Sequence, residues 1–343
     1  MVAFPAYQPV INQLYEYQLK RQPNRSTPFL NTIQKKEKKG QNIALTVSFG
    51  AGMGSSRAEG AAYGAPQTET KVPTSLPWKI YGDSFEITNL LEDALDGSNQ
   101  QISDVFGEEL FDCSQRLAKR LGNDALVGDG TGTNMLGLLA AAGGFRSAGT
   151  YAGINRATYS QWAGNEVNVA GAVTYAGIRS IMRATYDADG AKPDLIFTPS
   201  SQEEKIGLLP EFKDVNRVIR PDTNQGNRFV MGAGYSGLTF DGKPIVMDQH
   251  VPADMVVGVS YKHSYIAVLP PAQARRERGE IIAMVPLAGS DEDQLFGNKG
   301  GSGLFACLYK MGRIGSKTQF DLEITCNVVC ERPKSNFLMR GLT

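Results

Sequence analysis

From Asn42 to Phe49 apolar and polar residues alternate, with Ile43, Leu45, Val47 and Phe49 repeating at period two, the pattern of a half-buried strand. A second extended stretch, residues 68–88, carries Trp78, Ile80, Phe85 and Ile87. Residues 50–66 between them are almost all Gly, Ala and Ser, so the pair reads as one long hairpin, 42–88, with Gly52, Gly54, Gly60 and Gly64 in its tip. An isolated two-stranded ribbon is only marginally stable in water. A structureless tip of this length is also unusual inside a compact domain. Both difficulties disappear if the hairpin lies on another copy of the chain.

Helical periodicity takes over at Ser98, which forms the spacing of a capping box with Gln101. Ile102, Val105, Phe106, Leu110, Cys113, Leu117 and Leu121 follow at intervals of three and four, and Ala118, Ala125 and Leu126 prolong the stripe. The spacing predicts a helix over 98–127, about 45 Å long at 1.5 Å per residue. Gly128 is its expected left-handed stop, and Gly128, Asp129, Gly130, Thr131 and Gly132 form a tight structural turn.

On either side the pattern is different. Residues 1–40 mix Pro5, Pro9, Pro23 and Pro28 with scattered aromatic residues, which suits an arm lying on another surface better than a domain. Lys35, Lys36, Lys38 and Lys39 around Glu37 read as a solvated turn. After a Gly/Ala-rich link over 140–153, Ile178, Ile181, Met182 and Thr185 mark a helix over 174–188. A short buried strand follows at 194–198, then a helix over 200–209 with Ser200 and Glu203 as a second capping box, and a glycine-rich loop over 229–237. Strands are expected at 245–247, 255–259, 265–269, 304–310 and 319–331. The last places Phe320, Leu322, Ile324, Cys326, Val328 and Cys330 on one face, long enough to lie beside the long helix. Helices and short strands in this order give an α+β fold.

Composition narrows the function classes. The 343 residues balance 35 Lys+Arg against 35 Asp+Glu, so no global field points to nucleic acid or an anionic membrane. Four cysteines are too few for a disulfide scaffold, no secretory segment opens the chain, and no apolar run approaches a membrane span. These features imply a soluble chain made in a reducing compartment. The glycine-rich turn follows a helix, whereas a phosphate cradle opens one, and no Gly-Lys-Ser/Thr follows it. His250 and His263 are the only histidines, which excludes the common multi-histidine zinc sites, and Asp248-Gln249-His250 reads as a turn. Cys326 and Cys330, four residues apart on a strand, lie beyond disulfide reach. Arg275, Arg276, Glu277 and Arg278 form a small basic cluster read as a solvated face or subunit contact. No catalytic, cofactor-binding or metal-binding residue is assigned.

The order of parts resembles the major capsid proteins of tailed bacteriophages, the Hong Kong 97 type of fold. The resemblance rests on Leu126-Val127-Gly128-Asp129-Gly130-Thr131-Gly132 after a long helix, on Lys192-Pro193-Asp194-Leu195-Ile196-Phe197-Thr198-Pro199, and on Gly242-Lys243-Pro244-Ile245-Val246-Met247-Asp248 leading to Val251-Pro252. It implies an N-terminal arm (1–41), an extended loop over a neighbouring subunit (42–88), a peripheral domain (89–167) with a spine helix (98–127), an axial domain (168–300) and closing peripheral strands (301–343). Gly52, Gly54, Gly60 and Gly64 become the intersubunit loop tip. It implies no enzyme and no cofactor, but a virion shell of hexamers and pentamers, assembled in the host cytoplasm. The implied partners are a separate scaffold, a portal, decoration proteins and weakly held double-stranded DNA, with no membrane. Some relatives crosslink through a loop lysine; Lys71 and Lys79 are available, without a specific match. Two alternatives stay open: an encapsulin-like nanocompartment, and a soluble enzyme binding a phosphorylated ligand at the glycine-rich turn.

Overall fold

The computed structural model describes residues 28–49, 59–60, 71–88, 99–189, 192–209, 239–287 and 304–343. Its longest strand, β15 (Lys317–Cys330), follows from the alternation that buries Phe320, Leu322, Ile324, Cys326, Val328 and Cys330 together. Around it stand β1 (Gln34–Glu37), β4 (Lys79–Thr88), β12 (Ser264–Val268), β13 (Ile281–Pro286) and β14 (Phe305–Ile314). The sheet order is β1-β12-β15-β14-β13, and β4 also pairs with β15. One edge of β15 is therefore shared: β4 takes it from Lys317 to Cys326, and β12 from Cys326 to Cys330.

The helix α2 (Asn99–Val127) lies on the buried face of this sheet. Phe106 meets Phe320 and Phe85 with ring centroids 5.1 and 5.5 Å apart, and Phe85 stacks on Phe320 at 5.3 Å. Cys113, Leu117, Leu121, Ala125 and Leu126 continue the buried stripe. The expected helix and its place beside the closing strand are both present; Ser98, the cap residue, lies outside the described residues.

After a short hairpin of β5 (Thr150–Tyr151) and β6 (Ile154–Asn155), a second sheet runs in the order β7-β16-β11-β8-β10-β9. Its strands are β7 (Asn165–Gly171), β8 (Leu195–Thr198), β9 (Thr239–Phe240), β10 (Lys243–Met247), β11 (Val256–Val259) and β16 (Phe337–Leu342). Both faces are buried, so alternate residues enter different cores. Ile196, Ile245, Val256, Phe337 and Met339 pack with Ile178, Ile181 and Met182 of α3 (Tyr175–Asp189) and Ile206 of α4 (Ser200–Leu208). Leu195, Phe197, Val246, Val257 and Leu338 point the other way, into the core beneath α2. Two-sided burial is why β8 and β11 read as unbroken apolar runs.

Several expectations need correction. The stretch 68–88 is not one hairpin arm: β3 (Lys71–Leu76) pairs with β2 (Ile43–Ser48), whereas β4 joins the first sheet. Pro77 and Trp78 divide the two. The hairpin stem does not wait for another copy, since Ile43, Leu45 and Leu76 are buried and Phe49 stacks on Tyr159 at 4.6 Å. Residues 28–37 are not a free arm either. Phe29, Leu30 and Ile33 of and after α1 (Pro28–Thr32) are fully buried. The lysine-rich turn is instead β1, held by parallel pairing with β12 and by Lys36, whose ammonium sits 4.1 Å from the Tyr265 ring centre.

The boundaries at 168, 300 and 301 cut across the sheets. β12 and β13 belong with β15, while β16 crosses into the second sheet and pairs with β7 and β11. The capping box at Ser200 is not formed: Pro199 occupies the cap, and its carbonyl accepts the Glu203 amide at 3.0 Å. The helix over 174–188 is found as α3, with the Gly177 amide donating to Thr174 Oγ1 at 3.1 Å. Residues 229–237 lie outside the described residues.

Candidate functional site at the end of the long helix

Gly128 ends α2 without adopting a left-handed conformation; positive φ falls instead on Gly130 (75°) and Gly132 (53°). What position 128 requires is the absence of a side chain. A Cβ there would lie 2.4 Å from the Met135 carbonyl oxygen and 2.5 Å from that of Asp124. The returning chain presses this closely because it caps the helix: the Gly128, Leu138 and Leu139 amides donate to the carbonyls of Asp124, Ala125 and Leu126 at 3.0, 3.0 and 2.8 Å. Gly128→Ala is expected to destabilise by about 2–3 kcal/mol, as overpacking does. Gly107→Ala, in the exposed middle of α2 where a Cβ meets nothing within 4 Å, is expected to stabilise by up to about 1 kcal/mol. Urea denaturation of the two variants checks both signs.

The same turn is tied to the first sheet. Buried Asp124 accepts from Tyr81 Oη at 2.9 Å and pairs with Arg120 at 3.0 Å; Tyr81 Oη in turn accepts the Met135 amide at 2.9 Å. Burial, with Asp124 alongside, pushes the Tyr81 phenol pKa up against the pull of the Met135 amide. Lys79 Nζ donates to the Gly132 carbonyl at 2.7 Å, so this lysine is on a sheet strand and engaged, while Lys71 starts β3 at the hairpin. Asp124 was the legible signal that went unused: an acid seven residues after Leu117 and three after Leu121, on the apolar stripe itself.

This geometry does not hold a phosphate. The Asp129 carboxylate already occupies the turn, accepting from Thr131 Oγ1 at 2.5 Å, Asn134 Nδ2 at 3.1 Å and the Thr131 amide at 3.1 Å. These three donors lower its pKa to about 2. An incoming anion would meet a fixed negative charge at a helix C-terminus, the repulsive end of the dipole.

The remaining candidates are structural. Asp248 accepts the Phe29 and His250 amides, each at 2.8 Å, so it fixes α1 against the second sheet. His263 turns the chain into β12, its carbonyl accepting the Glu331 amide. Among the described residues no group of three or more His, Cys, Asp or Glu side chains is placed to hold a metal ion. All four cysteines are buried and none forms a disulfide, and burial pushes the Cys326 and Cys330 thiols up to about 12. In the basic cluster on α5 (Gln273–Glu277), Arg275 covers the Tyr309 ring, and Arg275 and Arg278 both pair with Glu280. Of the tip glycines, Gly60 is described, with φ of 81° and open space around it; Gly52, Gly54 and Gly64 lie outside the described residues. No described helix is long and apolar enough to cross a membrane.

Two polar hubs escaped the sequence altogether. Arg156 is buried and donates to the carbonyls of Gly143, Ala148, Trp162 and Gly144. Glu166 of β7 accepts from Arg146, Arg340, and both the amide and hydroxyl of Ser147. Together they turn the expected Gly/Ala-rich link into a packed connection between the two sheets.

The fold has known counterparts. The capsid of cyanophage A-1(L) superimposes with a TM-score of 0.69 at 21% identity over 93% of both chains. The SrpI encapsulin of Synechococcus elongatus PCC 7942 gives 0.53 at 11% identity over 96% of this chain and 95% of that one. The capsid of a native GTA particle gives 0.51 at 12% identity over 91% and 88%. A search of curated proteins finds no match. Phage shells and an encapsulin share this architecture, so the fold alone does not separate them. A family model does: the one described as SU10 major capsid protein matches residues 15–279, well over half of the sequence. The chain thus belongs to the SU10 major capsid protein family, and is a bacteriophage capsid shell protein.

Proposed function

We propose that this chain builds an icosahedral phage head, associating into hexamers and pentamers that enclose double-stranded DNA. The family match carries this reading, since it spans the hairpin, the long helix and most of the second sheet. Surfaces that one chain leaves open support it: Ile80 on β4, Ile282 on β13, Tyr186 on α3 and Leu208 on α4 are all exposed. In a shell such patches are covered by repeated heterologous contacts. The first sheet with α2 acts as the peripheral domain and α2 as its spine. The second sheet, β16 included, acts as the axial domain. The loop over the neighbouring subunit is the insertion between Ser48 and Lys71, which pair at the end of the β2–β3 stem.

Assembly in the host cytoplasm would draw on a separate scaffold, a portal and decoration proteins. Packaged DNA would meet local basic patches, without sequence readout. The chain carries no reaction: its glycine-rich turn serves as a helix cap. An encapsulin-like compartment uses the same architecture and is separated by contents, nucleic acid against protein cargo. Deleting residues 52–64 is expected to leave the soluble fold and its melting transition intact, because the stem residues Ile43, Leu45 and Leu76 are buried in their own chain. The same deletion should abolish shells in the electron microscope. Loss of soluble protein would place the tip in the core instead.

A further inference from the structure

Antiparallel pairing satisfies alternate residues of a strand on each side, so an edge strand presents a row of open amides and carbonyls. β4 is such a strand. It pairs with β15 through ten consecutive residues, Lys79–Thr88 against Lys317–Cys326, with no shift of register. No strand among the described residues pairs with its other edge. β4 contains no proline, and at 3.4 Å per residue it spans about 34 Å.

The other edges of the two large sheets carry the devices that discourage pairing. β1 is four residues long with Lys35 and Lys36 at its centre, and β9 has two residues. β13 shifts register between Ile281 and Ala283 and ends on Pro286, while β7 pairs with β16 through a shift between Arg340 and Leu342. β4 has none of these. Its one local block is Asp83, whose carboxylate accepts the Ser84 amide at 2.9 Å. The face turned away from α2 is open as well: Ile80, Gly82, Ser84, Glu86 and Thr88 are all exposed, Ile80 by 62%. A long, regular edge beside an exposed isoleucine is an aggregation site unless something covers it.

In a shell protein the cover is another copy, brought to the same edge by a contact that repeats from subunit to subunit. We propose that the free edge of β4 is a strand-addition site, where an extended segment of a second copy continues the first sheet across the subunit boundary. Main-chain hydrogen bonds supply the affinity, and Ile80 anchors the partner on the exposed face. The proposal rests on the shell reading and names one of the contacts that reading requires.

Hydrogen exchange read by mass spectrometry tests it on the wild-type chain, purified alone and in particles formed with a scaffold. In the unassembled chain about half of the β4 amides, those not bonded to β15, should exchange fast. In particles the same amides should slow by at least about a hundredfold, while the fast amides of β13, whose edge is interrupted, stay fast. Amides slow throughout β4 in the unassembled chain would assign the edge to a segment of the same chain. Amides still fast in particles would leave the edge open, and equal slowing of β13 would mean exclusion of solvent without pairing. Each of these overturns the proposal while the particles themselves uphold the shell reading. A chain that forms no particles and keeps its fast amides at every concentration removes both. Ile80→Lys with Ser84→Lys, at exposed positions, should leave the melting transition of the unassembled chain unchanged and lower particle yield at least about tenfold, because lysines on an edge oppose pairing. Particles at wild-type yield would contradict the proposal. The exchange comparison needs no substitution, so it stands if that variant misfolds.

Discussion

Replacing Arg156 with Met is expected to lower the unfolding free energy of the unassembled chain by about 4 kcal/mol, enough to erase much of a typical domain's stability. Arg156 is 2% exposed, and its guanidinium reaches four backbone carbonyls: Gly143 at 2.7 Å, Ala148 at 2.8 Å, and Trp162 and Gly144 each at 3.3 Å. It also stands over the Tyr151 ring at 5.5 Å. Among the described residues no carboxylate touches it, and burial lowers its pKa, opposed by neighbouring Tyr151, Cys330 and Glu166. Methionine fills similar volume but leaves those acceptors buried and unpaired, at about 1–3 kcal/mol for each one that water cannot reach. Lysine should recover only part of the loss, because a point charge cannot span acceptors on both sides of a planar fork. Urea denaturation measures all three proteins. A loss under about 1 kcal/mol for Arg156→Met would show that water or a shifted backbone replaces the fork.

Glu166→Gln should cost about 3 kcal/mol at neutral pH, and this cost should vanish in acid. Burial alone would raise the Glu166 pKa. The Ser147 amide and hydroxyl, at 2.8 and 2.7 Å, and Arg146 at 2.9 Å outweigh that penalty and lower it to about 2. The side chain is 7% exposed, so screening is weak on this side of the pair, although Arg340 is 44% exposed and adds less. A depressed carboxylate pKa stabilises the fold above the unfolded value of about 4.3, and the contribution is lost as pH falls towards 2. Wild type and Glu166→Gln should therefore differ most at pH 6–7 and converge near pH 2. A difference that does not change with pH would mean that shape, and not charge, holds the corner.

Both hubs lie just beyond the link expected over 140–153 and hold it in place, and the reason they escaped is physical. Hydrophobic periodicity reports side chains that bury themselves against a sheet, as in β15, α2 and α3, and those elements were legible to within a residue or two. Arg156 and Glu166 are buried for the sake of backbone carbonyls and other charges, which leave no periodic trace. β1 was hidden for a related reason: Gln-Lys-Lys-Glu has no apolar alternation because parallel backbone pairing with β12 holds it. β7 behaves similarly, an edge strand with mostly polar, partly exposed residues. The interleaving of the two sheets also escaped, because β16 reaches the second sheet only after the short turn Pro333–Ser335 ends the run of β15. At the helix joint the residues were found and the mechanism was not. Gly128 is demanded by close packing, and the left-handed conformation falls on Gly130 and Gly132.

A capsid shell protein works through contact with copies of itself. Negative-stain electron microscopy of the purified protein, alone and with a co-expressed scaffold, shows whether this chain does so. Closed particles of uniform curvature with five-fold vertices are expected, and none when residues 52–64 are deleted. A stable monomer or dimer under every condition, with the hairpin ordered, would contradict this.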